Sequence, residues 1–167
     1  MKNLMKTLYI QHCMKSLLLL ISLIYAQSVF AQGSPSLDAE FMLSLSLTVG
    51  DQMNAGETRI GPITGGSFSG SGLTGRVLPG GADWMTLSEG HNNLNVRITL
   101  ETDDGEYIYM SYTGILKFAD NPEDMYWTVA IEFQTASAEH DWLNHLVAIG
   151  KGRAENGMII YDIFRII

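Results

Sequence analysis

The chain has 167 residues, 46% of them hydrophobic, with 10 Lys and Arg against 18 Asp and Glu, a single Cys and a formal net charge of −8. That balance provides for one sizeable core and lacks the clustered cations on which phosphate binding depends, so nucleic acid is not expected as a partner. A lone Cys13 excludes a disulfide framework.

Residues 1–31 read as a secretory signal peptide. Lys2, Lys6 and Lys15 precede the apolar run Leu17-Leu18-Leu19-Leu20-Ile21, which continues to Tyr25 and is too short to span a membrane comfortably. Val29 and Ala31 stand where a signal peptidase needs small residues, so the cut is expected between Ala31 and Gln32. An N-terminal anchor is the alternative, and Met14-Lys15 opens a more compact signal than Met1 does. Export to the periplasm or outside the cell is therefore expected, with no membrane span in the mature form. The 136 residues that remain have no cysteine and carry a net charge of −11, because the removed segment holds three basic and no acidic residues.

Residues 32–38 form a short polar link, and 39–167 read as a single β-domain. From Phe41 to Val49 apolar and small polar residues alternate with period two, the signature of a strand with one dry face. The glycine-dense part from Gly61 to Gly81 still carries regularly placed Phe68, Leu73, Val77 and Leu78, which fits short strands with tight corners better than a linker. Leu94, Val96, Ile98 and Leu100 face one way and Asn95, Arg97, Thr99 and Glu101 the other, and Asp103-Asp104-Gly105 turns the chain into Tyr107 to Phe118. Tyr126 to Gln134 and Trp142 to Gly150 read as further strands, and Asn156-Gly157 turns a last hairpin into Met158 to Ile166. A helical turn is plausible only within 139–146.

Roughly nine strands joined by short turns predict an all-β fold, a closed antiparallel barrel of about eight to ten strands, with a sandwich as the alternative. An outer-membrane barrel is not expected, because the segments around Phe68, Leu73 and Trp84 are too short and too glycine-interrupted for spanning strands.

In this order the pieces resemble the domain of unknown function 3237 family of small β-barrel proteins. The resemblance rests on Gly61-Pro62-Ile63-Thr64-Gly65-Gly66-Ser67-Phe68, on Val77-Leu78-Pro79-Gly80-Gly81-Ala82-Asp83-Trp84, on Arg97 to Gly105, and on Phe133-Gln134-Thr135 followed by Trp142-Leu143-Asn144. It implies a closed barrel of lipocalin-like size and no particular activity. Two departures stand out: Thr128 takes the place of an arginine that members tend to have after the aromatic pair, and His140 that of a tyrosine before Trp-Leu-Asn.

Asp83 is the most interesting ionisable group. Beside Trp84 in a semi-dry cavity its pKa would rise, making it a general base or acid; the bland role is to cap the Pro79-Gly80-Gly81 corner. Arg97 is a candidate for holding a carboxylate or phenolate, its bland role being a surface ion pair. Tyr109, Trp84, Trp127, Trp142 and Asn144 are candidates for lining a pocket for a ring-bearing ligand, although aromatics are more often core. No metal site is expected. Thr102 to Gly105 lacks the ligands of a calcium loop, His91, His140 and His145 are isolated from one another in sequence, and His140 with Asp141 and His145 is only a weak zinc signal. Neither a nucleophile elbow nor a dinucleotide fingerprint is present, so no cofactor is expected.

Three functions follow as expectations. The first is binding of a small apolar or aromatic molecule inside the barrel. The second is a cofactor-independent lyase, isomerase or cyclase in which Asp83 is the general base and Arg97 or Tyr109 stabilises the oxyanion. The third is a structural protein that forms homo-oligomers through exposed strand faces.

Overall fold

A computed structural model describes residues 35–70 and 72–167. The expected signal peptide, its expected cleavage site and the alternative start at Met14 lie outside these described residues. The strands are β1 (Ala39–Val49), β2 (Met53–Ala55), β3 (Thr58–Gly70), β4 (Leu73–Val77) and β5 (Ala82–Ser88), then β6 (His91–Thr102), β7 (Tyr107–Lys117), β8 (Tyr126–Thr135), β9 (Ala148–Glu155) and β10 (Met158–Ile166).

All neighbouring strands are antiparallel, and β1 pairs with β10 along one edge and with β3 along the other, which closes the sheet. β4 and β5 both lie between β3 and β6, so the two share one stave, broken at the Pro79-Gly80-Gly81 corner. β2 only extends the lower part of β3 as a hairpin. The result is a closed eight-stave barrel with two extra strands, as the alternation predicts, and not a sandwich.

Closure follows from the alternation of side chains. Leu43, Leu45 and Leu47 of β1, Val96, Ile98 and Leu100 of β6, Ile108 and Met110 of β7, and Ile131 of β8 are all buried and belong to one core. Their neighbours in sequence, such as Arg97, Thr113 and Glu132, are exposed. One face of every stave is therefore dry, and a barrel is the arrangement that lets all those faces meet.

Two elements differ from expectation. The expected strand from Trp142 to Gly150 is a 3-10 turn over Asp141–His145 followed by β9. The loop between β6 and β7 is longer than a two-residue turn: Thr102 and Glu106 exchange hydrogen bonds across it, and Gly105 has φ 89. By contrast Asn156 and Gly157, with φ 51 and 78, make the left-handed pair that a tight hairpin requires.

Candidate functional site

Strand register decides which side chains can meet. Asp83 is paired with Gly61 on β3 and Val96 on β6, Val96 with Tyr112 on β7, and Tyr112 with Ile131 on β8. Val96, Tyr112 and Ile131 are core residues, so this row, Asp83 included, faces the barrel interior. Tyr161 of β10 reaches the same space: its ring meets that of Tyr112 edge to face at 5.2 Å and that of Trp127 at 5.8 Å. Trp127 Nε1 donates to the Tyr161 hydroxyl at 2.8 Å.

Asp83 is half-buried. The β5–β6 register lapses between Asp83 with Val96 and Thr86 with Asn93, and in that gap the Asn95 N–H donates to Asp83 Oδ1 at 3.1 Å. The corner-capping role is thus corrected: the bonded N–H belongs to β6 and not to the Pro79-Gly80-Gly81 corner. Burial raises the Asp83 carboxyl from the ordinary 3.8 to about 6, with the Asn95 N–H opposing. Burial, then the Tyr161 hydroxyl and the charge of Asp83, hold the Tyr112 phenol far above its usual range. Tyr161 is also raised by burial, against the hydrogen bonds from Tyr112 and Trp127. The interior thus holds one carboxylate close to its own titration midpoint and two phenols that stay protonated.

Arg97 and Tyr109 are on the other side of the wall. Both lie on the outward-facing parity of β6 and β7, where Arg97 is paired with Ser111 and Thr99 with Tyr109. The Arg97 guanidinium lies over the outward-facing Trp84 ring at 5.4 Å. Asp83, Arg97 and Tyr109 therefore do not converge: one residue of offset along a strand puts side chains on opposite faces. The expected aromatic pocket is divided in the same way. Trp84 and Tyr109 flank outer grooves of about 300 to 430 Å³, Trp127 is inside, and Trp142 sits by Phe41 and Arg165 at the β1–β10 edge. Asn144 is structural, bonding the N–H and carbonyl of Thr135 and the Asp141 carboxylate. Asp83 lines none of these grooves.

Sequence reasoning misses Tyr161 and favours Tyr109 where the structure places Tyr112. Parity could have found Tyr112, since 108, 110 and 112 share the face of the apolar residues on β7.

A family model described as a protein of unknown function (DUF3237) matches residues 34–166. The chain belongs to this family. A conserved protein of unknown function from Rhodopseudomonas palustris superposes with a TM-score of 0.75 at 26% identity, covering 81% of this chain and 100% of its own. A β-barrel-like protein from Acinetobacter baumannii is 30% identical with a TM-score of 0.71, over 81% of this chain and 99% of its own. The hydroalkoxylation enzyme phnH of Penicillium herquei is 28% identical over 116 residues, 66% of this chain and 71% of its own.

The two departures from the family pattern occupy distinct places. Thr128 is on the outward-facing parity of β8, and its hydroxyl is buried without a partner. His140 is buried with Nε2 3.5 Å from Asp104 Oδ2, longer than a hydrogen bond. Among the described residues no group of three or more His, Cys, Asp or Glu is placed to hold a metal ion.

Proposed function

We propose that this chain is a cofactor-independent proton-transfer enzyme of the lyase, isomerase or cyclase class. It takes a small hydroxyl- or carbonyl-bearing ring compound at Asp83, the base, which is the one member of the interior row that solvent reaches. The observation that carries this reading is the placement of a half-buried carboxylate, raised to about 6, on the same inner surface as the Tyr112 and Tyr161 hydroxyls. A base with that pKa is ionised at neutral pH yet strong enough to take a proton from a hydroxyl or from a carbon beside a carbonyl. Tyr161, kept protonated while it accepts from Tyr112 and Trp127, has its own O–H left to donate to the oxygen on which charge develops, the part first expected of Arg97 or Tyr109. Trp127 fixes the Tyr161 oxygen in place.

The fungal relative supports the class of chemistry. Hydroalkoxylation adds an O–H across a carbon–carbon double bond, which needs one proton removed from oxygen and one delivered to carbon. A single carboxylate serves both steps in turn. We further propose that the protein is exported and that its mature form begins at Gln32, as the intact mass of protein from an exporting host would show.

The test is a screen of hydroxyaryl alkenes and aryl ketones for cyclisation or isomerisation, followed by comparison with Asp83→Asn. The wild type should turn over at least one such compound, with kcat/KM rising as pH passes through about 6, and Asp83→Asn should lose at least about 100-fold. Equal rates for the two proteins would end the proposal.

A further inference from the structure

The outer wall of β6, β7 and β8 carries features that the proposed chemistry does not use. Arg97 is exposed, and among the five arginines of the described residues it is the one whose guanidinium reaches no oxygen partner. Arg59 bonds Asn54, Arg76 pairs with Glu101, Arg153 with Glu155 and Asp162, and Arg165 with Glu40. Glu132, equally exposed on β8, has no cation partner among the described residues either. The two flank one residue: Arg97 is paired with Ser111 on β7, and Ser111 with Glu132. They stand two strand spacings apart, about 10 Å, too far to neutralise each other. Between them lies a groove of about 410 Å³.

Large apolar side chains surround this pair of charges. Tyr107 is 59% exposed and Ile115 41%, both on β7, and Trp84 and Val147 lie on either side at 36% and 56%. An exposed apolar patch of this kind marks an interaction surface more often than free solvent.

We propose that this wall is the interface of an isologous dimer with a second copy of the chain, its two-fold axis running along β7 over Ser111. A two-fold axis in that direction exchanges left and right across β7 while keeping position along it. Arg97 of one copy then lies over Glu132 of the other, and the same pair forms again on the opposite side. Residues on the axis meet their own counterparts, so Tyr107, Tyr109 and Ile115 each pack against themselves. An axis across the strands would instead set Arg97 against Arg97. The charge pattern therefore selects one orientation, as complementarity does at specific interfaces. A patch bounded by Trp84, Val147 and the length of β7 covers on the order of 600 Å² per copy, at the low end for a specific pair.

Sedimentation of the purified protein between about 1 and about 100 µM should show a monomer–dimer equilibrium, tightened at low salt. Arg97→Glu and Glu132→Arg should each weaken it by at least about 100-fold by setting like charges together, and the double exchange should restore it to within about tenfold. In a chain with Cys13 replaced by Ala, Ser111→Cys should oxidise to a disulfide-linked dimer, whereas Thr99→Cys, off the axis, should not. Far-UV spectra identical to wild type show that each exposed-site variant is folded. A monomer at every concentration, a double exchange that fails to restore pairing, or no cross-link at Ser111→Cys would overturn the proposal. So would a monomer whose groove takes up a ring-bearing carboxylate on Arg97, which would make the wall a ligand site.

Discussion

Asp83 illustrates how one residue answers to both folding and chemistry. Its carboxylate takes the Asn95 N–H that the interrupted β5–β6 ladder leaves free, and it does so in surroundings that disfavour its charge. The folded-state pKa of about 6 lies above the ordinary 3.8, so the folded protein binds the proton more tightly than the unfolded chain does. Stability from this group is thus fully present below about 4 and is lost as pH rises through about 6. Two pKa units correspond to about 3 kcal/mol at most, and partial solvent exposure reduces that to about 1–2 kcal/mol. Asp83→Asn keeps the acceptor oxygen and removes the charge. Denaturant titration should therefore find it more stable than wild type by about 1–2 kcal/mol at pH 8, with the gap closing below pH 6. A variant less stable than wild type at pH 8 would show that the charge itself holds the fold together. The sequence marks Asp83 as unusual through its glycine corner and Trp84, but which residues share its side of the wall depends on cross-strand register, which a run of single residues does not display.

At the scale of elements, legibility tracked the size of the inward side chains. β6 and β7 are visible because Leu, Ile, Val and Met alternate with polar residues along them, and β10 because the Asn156-Gly157 turn leads into an apolar run. β9 lacks a signal because its inward positions Ala148, Gly150 and Gly152 are small and give no apolar period. Those small residues have a packing cause. A Cβ on Gly152 would lie 2.6 Å from the Trp127 indole, and one on Gly150 2.8 Å from Val129. The strand is thin so that Trp127 and Tyr161 fit inside the barrel. Gly152→Ala should accordingly displace Trp127, break its bond to Tyr161 and cost about 1–3 kcal/mol, read as a lower Tm with altered tryptophan emission. An unchanged Tm and emission would mean that the indole has room that this packing denies it. The long β3 is legible only in part for a related reason, since Pro62 and Gly65-Gly66 interrupt its pattern and its register with β1 shifts between Gly65 and Ile63.

For the whole molecule, closure of the barrel joins these separate facts. Asp83 on β5, Tyr112 on β7 and Tyr161 on β10 are remote in the chain and meet because β1 bridges β10 and β3 and so completes the ring. That meeting was not legible, because alternation assigns each residue a face but not its neighbours across the barrel. The same closure pairs β7 on both sides, so the Arg97, Ser111 and Glu132 row stands on a continuous stretch of outer wall. The proposed chemistry rests on an acid poised near neutral pH that shares the interior with two protonated phenols. The most direct measurement is an NMR titration that follows the Asp83 carboxyl carbon together with the Tyr112 and Tyr161 ring signals from pH 4 to pH 8. All three should report one midpoint at about 6, and the tyrosine transitions should vanish in Asp83→Asn. A carboxyl midpoint at the ordinary 3.8, with tyrosine signals flat across the range, would contradict the claim.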